Sequence, residues 1–108
     1  MIYELRVYRC APNRLPALLR RFETAALRLW DKHGVRQVGL FTTLIGQSSE
    51  ELTYLLAWES LAERERKWTT FTRDPEWIAA RTESEKDGPI VVNVVSSILE
   101  PTAFSSVL

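Results

Sequence analysis

His33 and Cys10 are the single histidine and the single cysteine of this 108-residue chain. A neutral imidazole near the end of a helix can serve as base, proton shuttle or metal ligand. The same position suits a histidine that completes an apolar stripe and bonds a terminal carbonyl, where the helix dipole favours its charged form. Both readings of His33 stay open. A zinc site with three protein ligands would have to recruit carboxylates around so few candidates, so no metal or other cofactor is expected. Cys10 reads either as an exposed thiol at a strand end or as a small buried hydrophobe. Neither a Ser-His-Asp nor a Cys-His arrangement gains support, and no G-x-G-x-x-G, P-loop or C-x-x-C pattern occurs. Nucleotide, dinucleotide and dithiol chemistry are thereby set aside.

The aromatic residues offer a different chemistry. Tyr54 and Trp58 share one face of an expected strand, Phe41 comes from the strand before it, and Trp68, Phe71 and Trp77 follow in a helical region. Between a sheet and its helices, such a set can line an apolar pocket for a small molecule. Arg6, Tyr8, Asn93 and His33 are then the polar groups that would orient it. The alternative is a tryptophan-rich core with no pocket. Glu59, Glu63, Arg64, Glu65, Arg66 and Lys67 read as a solvated helix face rather than as paired catalytic carboxylates.

Six elements must position these residues. Ile2–Cys10 alternates as a strand and stops at Ala11-Pro12-Asn13. A helix follows from about Arg14 to Lys32, with Asn13 as N-cap, Pro16 in the first turn and Gly34 as the breaker. Its stripe of Leu15, Leu18, Leu19, Phe22, Ala26, Leu29, Trp30 and His33 fits one buried face. Strands are expected at Val35–Ile45 and Leu52–Glu59, joined by a polar loop led by Gly46. Gly39 within the second strand signals a kink, a bulge or a close backbone approach. Ser60 and Glu63 form a capping box for a second helix, with Leu61, the stem of Arg64, Trp68 and Phe71 on its inner side and Glu65 near the edge. Asp74-Pro75 restarts that helix through Trp77, Ile78 and Arg81 to about Lys86. Asp87-Gly88-Pro89 ends it. Ile90–Leu99, rich in β-branched residues, reads as a central or well-buried strand.

Length bounds this to one domain, residues 1–108. Fourteen basic residues balance fourteen acidic ones and, apart from Arg20-Arg21, are interleaved with them. Nucleic acid and anionic membranes are therefore not expected partners. No apolar run approaches the ~20 residues of a membrane span, and the N-terminus lacks the apolar block of a signal peptide. A cytoplasmic protein is the expectation.

The order strand-helix-strand-strand-helix-strand predicts an α+β, ferredoxin-like βαββαβ fold with a four-stranded antiparallel sheet and both helices on one face. The other face, carrying either Glu4, Arg6 and Tyr8 or Tyr3, Leu5 and Val7, is left bare, which predicts a homodimer through sheet-on-sheet contact.

Several runs resemble NIPSNAP domains. They are the opening Met1–Tyr8, Lys32-His33-Gly34, Val38–Thr43 with Gly46, Trp58–Arg64, Asp74-Pro75-Glu76-Trp77, and Ile98–Ser105. The resemblance covers nearly the whole chain. It implies a dimeric α/β barrel, two ferredoxin-like protomers with facing sheets and outer helices. That superfamily includes cofactor-independent monooxygenases, haem-degrading enzymes, haem-dependent dismutases and lactone isomerases. The implied function is binding of a small apolar or aromatic molecule under the helices. A cofactor-independent oxygenase or isomerase would use His33 for proton transfer and Arg6, Tyr54 and Trp58 to hold the substrate. A non-enzymatic dimeric module with a self-filled core is the second expectation. Haem binding through His33 trails both.

Overall fold

Alternation in Ile2–Cys10 makes β1, an inner strand of a four-stranded antiparallel sheet ordered β2-β3-β1-β4 in the computed structural model. Residues 1–106 are described, so the last two of the expected 1–108 domain lie outside the described residues. β2 is Arg36–Thr42, β3 is Glu51–Trp58 and β4 is Val91–Leu99. Helices α1 (Leu15–Arg21), α2 (Leu27–His33), α3 (Leu61–Thr72) and α4 (Pro75–Ser84) pack on one face. This is the expected α+β arrangement. Among the described residues, no helix is long and apolar enough to cross a membrane.

α1 and α2 are joined without a break by a π-helical turn, Phe22–Ala26. The wider turn keeps Arg21 and Phe22, then Ala25 and Ala26, then Leu29 and Trp30 all buried. At 3.6 residues per turn these pairs would drift round about half the helix, and the wider turn narrows that drift. Gly34 closes α2 in the left-handed conformation (φ 73°), which frees the chain to turn back as β2.

Register decides which half of β1 meets the helices. Arg6 pairs with Tyr54, Glu4 with Leu56 and Tyr8 with Leu52, and directly opposed residues share a face. Tyr54, Leu56 and Trp58 are buried beneath the helices with Trp30 and Phe71, so Glu4, Arg6 and Tyr8 lie on that side too. Leu5 and Val7 therefore point to the bare face, beside Val95, the partner of Val7 on β4. The strand turns its charged row inward and its aliphatic row outward.

Several local expectations are corrected. Asn13 is not the N-cap: it adopts a left-handed φ of 66° and Arg14 precedes the helix without a side-chain cap. Asparagine tolerates that region better than most residues, which lets the chain turn sharply out of β1. Leu44 and Ile45 belong to the loop after β2 and are almost fully exposed. β4 is an edge strand with Val92, Val94, Val95, Ile98 and Leu99 exposed; β-branched composition reports fitness for a pleated surface, not depth. Leu61 is exposed because the inward row of α3 is Arg64, Trp68 and Phe71, and the place over Glu4 goes to the head of Arg64. α4 ends at Ser84.

The two capping signals form as read. Ser60 Oγ accepts from the Glu63 N–H at 3.1 Å, and Asp74 Oδ1 accepts from the Glu76 N–H at 2.8 Å. At Gly39 the β2–β3 register shifts, and a Cβ there would meet the Phe41 ring at 2.8 Å.

Candidate functional site

Glu4 is fully buried, and its carboxylate is the hub of a network on the helix side of the sheet. Oε1 accepts from Arg64 Nε at 2.7 Å and from Trp58 Nε1 at 3.1 Å. Oε2 accepts from Ser96 Oγ at 2.6 Å, Arg64 Nη2 at 3.0 Å and Arg6 Nη1 at 3.1 Å. Burial alone would raise this carboxyl, but the bonds from Arg64, Ser96, Arg6 and Trp58 outweigh it and hold it at about 2.

Arg6 turns the network toward solvent. Its Nε donates to Tyr54 Oη at 2.7 Å and its Nη2 to Tyr8 Oη at 3.0 Å. The guanidinium also lies over the Trp68 ring, 4.9 Å from its centroid. Tyr54 Oη donates to Tyr8 Oη at 3.0 Å. Burial and Tyr8 push the Tyr54 phenol well above its ordinary range despite Arg6, so it stays protonated at neutral pH. Tyr54 thus spends its O–H as a hydrogen-bond donor to Tyr8, and the Tyr8 oxygen accepts from both neighbours. The Tyr8 O–H is left to donate outward.

That donor faces a groove of about 490 Å³ between β4 and the α3–α4 pair. Four residues expected at a site line it: Arg6, Tyr8, Trp68 and Asn93. Phe71 and Trp77 add aromatic wall, and Arg21, Arg81 and Glu85 add charge. A second groove of about 450 Å³ between α1 and α4 is bordered by Ala17, Ala25, Ala80, the other side of the buried Arg21 and mostly exposed charged side chains, without an aromatic wall.

The other expected residues stand elsewhere. Tyr54 and Trp58 are fully buried and fill the space beneath the helices, with the Trp30 and Tyr54 rings 5.2 Å apart. Phe41 lies with Thr53 on the bare face and is largely exposed, because the β2 bulge sets it there. His33 borders a separate shallow depression with Lys32, Thr69 and Asp74. Its Nε2 is 2.6 Å from Asp74 Oδ2, to which Lys32 Nζ also donates at 2.9 Å. His33 therefore joins the end of α2 to the cap of α4. The residues missed in sequence, Glu4, Arg21, Arg81 and Glu85, sit among ordinary charges of strands, helices and helix ends. Only the inward turn of Arg21 beside the π segment distinguishes it.

Lys32, His33 and the Glu76 N–H hold the Asp74 carboxyl well below its usual range. A depressed carboxyl stabilises the fold above its unfolded pKa and loses that contribution as pH falls through the folded value. Asp74→Asn is thus expected to lower the urea midpoint at pH 7, with the gap from wild type closing below about pH 4. An equal gap at both pH values would show that the charge is irrelevant.

The sequence matches the model of the NIPSNAP family over residues 3–106. A NIPSNAP family protein from Agrobacterium tumefaciens is 27% identical, with a TM-score of 0.87 over 100% of this chain and 94% of the other. A NIPSNAP-like domain protein from Burkholderia xenovorans is 28% identical, with a TM-score of 0.85 over 96% and 87%. A proposed antibiotic biosynthesis monooxygenase from Nitrosomonas europaea shares the fold at 7% identity, with a TM-score of 0.64 over 93% and 97%. Comparison with curated proteins returned no match. With the family match spanning almost the whole chain and the ferredoxin-like sheet beneath it, this chain belongs to the NIPSNAP family.

Proposed function

We propose that this protein is a cytoplasmic homodimer that binds a small apolar or aromatic molecule in the groove beside β4 and stabilises negative charge on its oxygen. The observation that carries the reading is the Arg6–Tyr8 pair. A guanidinium fixed by Glu4, Tyr54 and Tyr8 stands beside a phenol whose own proton is uncommitted. Preorganised donors of this kind stabilise an enolate or phenolate without reorganising as charge develops. That is the requirement of a cofactor-independent oxygenase or isomerase. Water takes the acidic proton; an isomerase regains one from water at another carbon, whereas in an oxygenase the carbanion carbon is oxidised from CH2 to C=O as dioxygen is reduced, one oxygen forming the carbonyl and the other leaving as water.

Among the described residues that line the groove, Glu85 is the carboxylate, and Arg21 engages it at 3.3 Å. The reading therefore favours substrates that ionise with little help, such as phenols and activated ketones. His33 has no part in it: Asp74 holds Nε2, and the depression that the ring borders is lined by Lys32, Thr69, Thr70 and Arg73 rather than by the apolar wall a haem needs. The aromatic core filled by Trp30, Tyr54, Trp58 and Phe71 supports the second reading, a non-enzymatic dimeric module.

α-Proton exchange of 2-tetralone in D2O, followed by NMR, separates the two. Wild type is expected to accelerate exchange, Tyr8→Phe to slow it by ~10²-fold or more, and His33→Ala to leave it unchanged. Oxygen uptake during exchange marks an oxygenase, and its absence an isomerase. No acceleration, together with no retained small mass in native mass spectrometry, would leave the assembly module.

A further inference from the structure

The charges around the groove do not balance. Glu4 faces two guanidinium groups, Arg6 and Arg64. Glu85 faces two more, Arg21 at 3.3 Å and Arg81 at 3.9 Å. Among the described residues that line the groove itself, Arg6, Arg21 and Arg81 stand against the one carboxylate of Glu85, at a site walled by Trp68, Phe71 and Trp77.

Arg21 is the sharpest case. Its side chain is 4% exposed, yet its contacts to Glu85 Oε1 and Ser84 Oγ are both long, at 3.3 Å. Its Nε has no hydrogen-bond partner among the described residues. The guanidinium lies 5.6 Å from the centre of the Trp77 ring, which already forms part of the groove wall. Burying a guanidinium with so little compensation is costly unless something else supplies negative charge. Burial accordingly pushes Arg21 below its ordinary value, against the pull of Glu85.

We infer that the groove takes an aromatic carboxylic acid, its ring against Trp68, Phe71 and Trp77 and its carboxylate in the field of Arg21 and Arg81. A guanidinium fork matches a planar two-oxygen anion, and aromatic walls match a ring better than a hydrated inorganic ion. Arg6 and Tyr8 then remain free to meet a second oxygen of the same molecule. The inference rests on the groove being the binding site, and it adds the charge and class of the ligand.

The test is calorimetric titration with 2-naphthoate and with its neutral counterpart 2-naphthamide at pH 7. Naphthoate is expected to bind at least ~10-fold more tightly, about 1.4 kcal/mol. Arg21→Met and Arg81→Gln should each shrink that ratio toward one. If Arg21→Met does not fold, Arg81→Gln carries the test, because Arg81 is exposed. Equal affinities for the two probes would overturn the acid inference and leave the groove reading standing. Binding of neither at millimolar concentration would overturn both.

Discussion

Glu4→Gln is expected to lower the stability of the fold by about 3–5 kcal/mol, the cost of leaving buried cations without their carboxylate. Glu4 has no exposed surface and receives five hydrogen bonds, three of them from Arg6 and Arg64. The amide cannot match two guanidinium groups, and its NH2 would point a donor at one of them. In a domain of this size the loss corresponds to a melting temperature lower by roughly 12–20 °C. The pH dependence follows from the same site. The folded carboxyl sits at about 2 against an ordinary 4.5, so its contribution is complete above pH 4.5 and is lost as pH falls toward 2. Glu4→Gln should remove that part of the acid-side slope. A change below 1 kcal/mol with the slope intact would mean that Arg6 and Arg64 find other partners, and the network would lose its organising role. Adding Arg64→Met to Glu4→Gln is expected to recover part of the loss, since one of the two stranded cations is then gone.

Val7→Glu is expected to convert the proposed homodimer into monomers. Val7 and Val95 are paired on the face that the helices leave open, with Leu5 and Leu55 nearby on the same side. Val95 and Phe41 on that face are 52% and 61% exposed, a poor surface to leave in water. Because a two-fold contact doubles every change, one Val7→Glu substitution puts two carboxylates into a single apolar interface. A dissociation constant weaker by ~10³-fold or more follows from a few kcal/mol per buried charge. Wild type should give twice 12.5 kDa by light scattering at micromolar concentration, and Val7→Glu 12.5 kDa with an unchanged circular dichroism spectrum. A monomeric wild type would overturn the pairing, while the groove reading would stand on its own residues.

The elements were legible because their signals are local. Ser60 with Glu63, Asp74 with Pro75, and Gly34 each act over a few residues, and each forms the cap or break its type suggests. Four of the expected site residues, Arg6, Tyr8, Trp68 and Asn93, also meet at one groove. His33, Phe41, Tyr54 and Trp58 do not join them, for different reasons. Phe41 is set on the bare face by a one-residue bulge, and a shift of one residue in a strand exchanges its two faces. His33 is held at a helix junction by Asp74, forty-one positions away in the chain. Tyr54 and Trp58 have the right face but too much cover.

Chain order, capping and alternation thus carry the ferredoxin-like plan, since each depends on neighbours in sequence. The tertiary structure alone decided that β1 turns Glu4 and Arg6 inward and Leu5 and Val7 outward. Alternation states that a strand has two unlike faces, but it cannot say which of them the helices cover. Here a charged row lies inside because Arg64, Ser96 and Trp58, brought from three other elements, satisfy Glu4 there. Such compensation between distant residues has no local signature, and the candidate site depends on it.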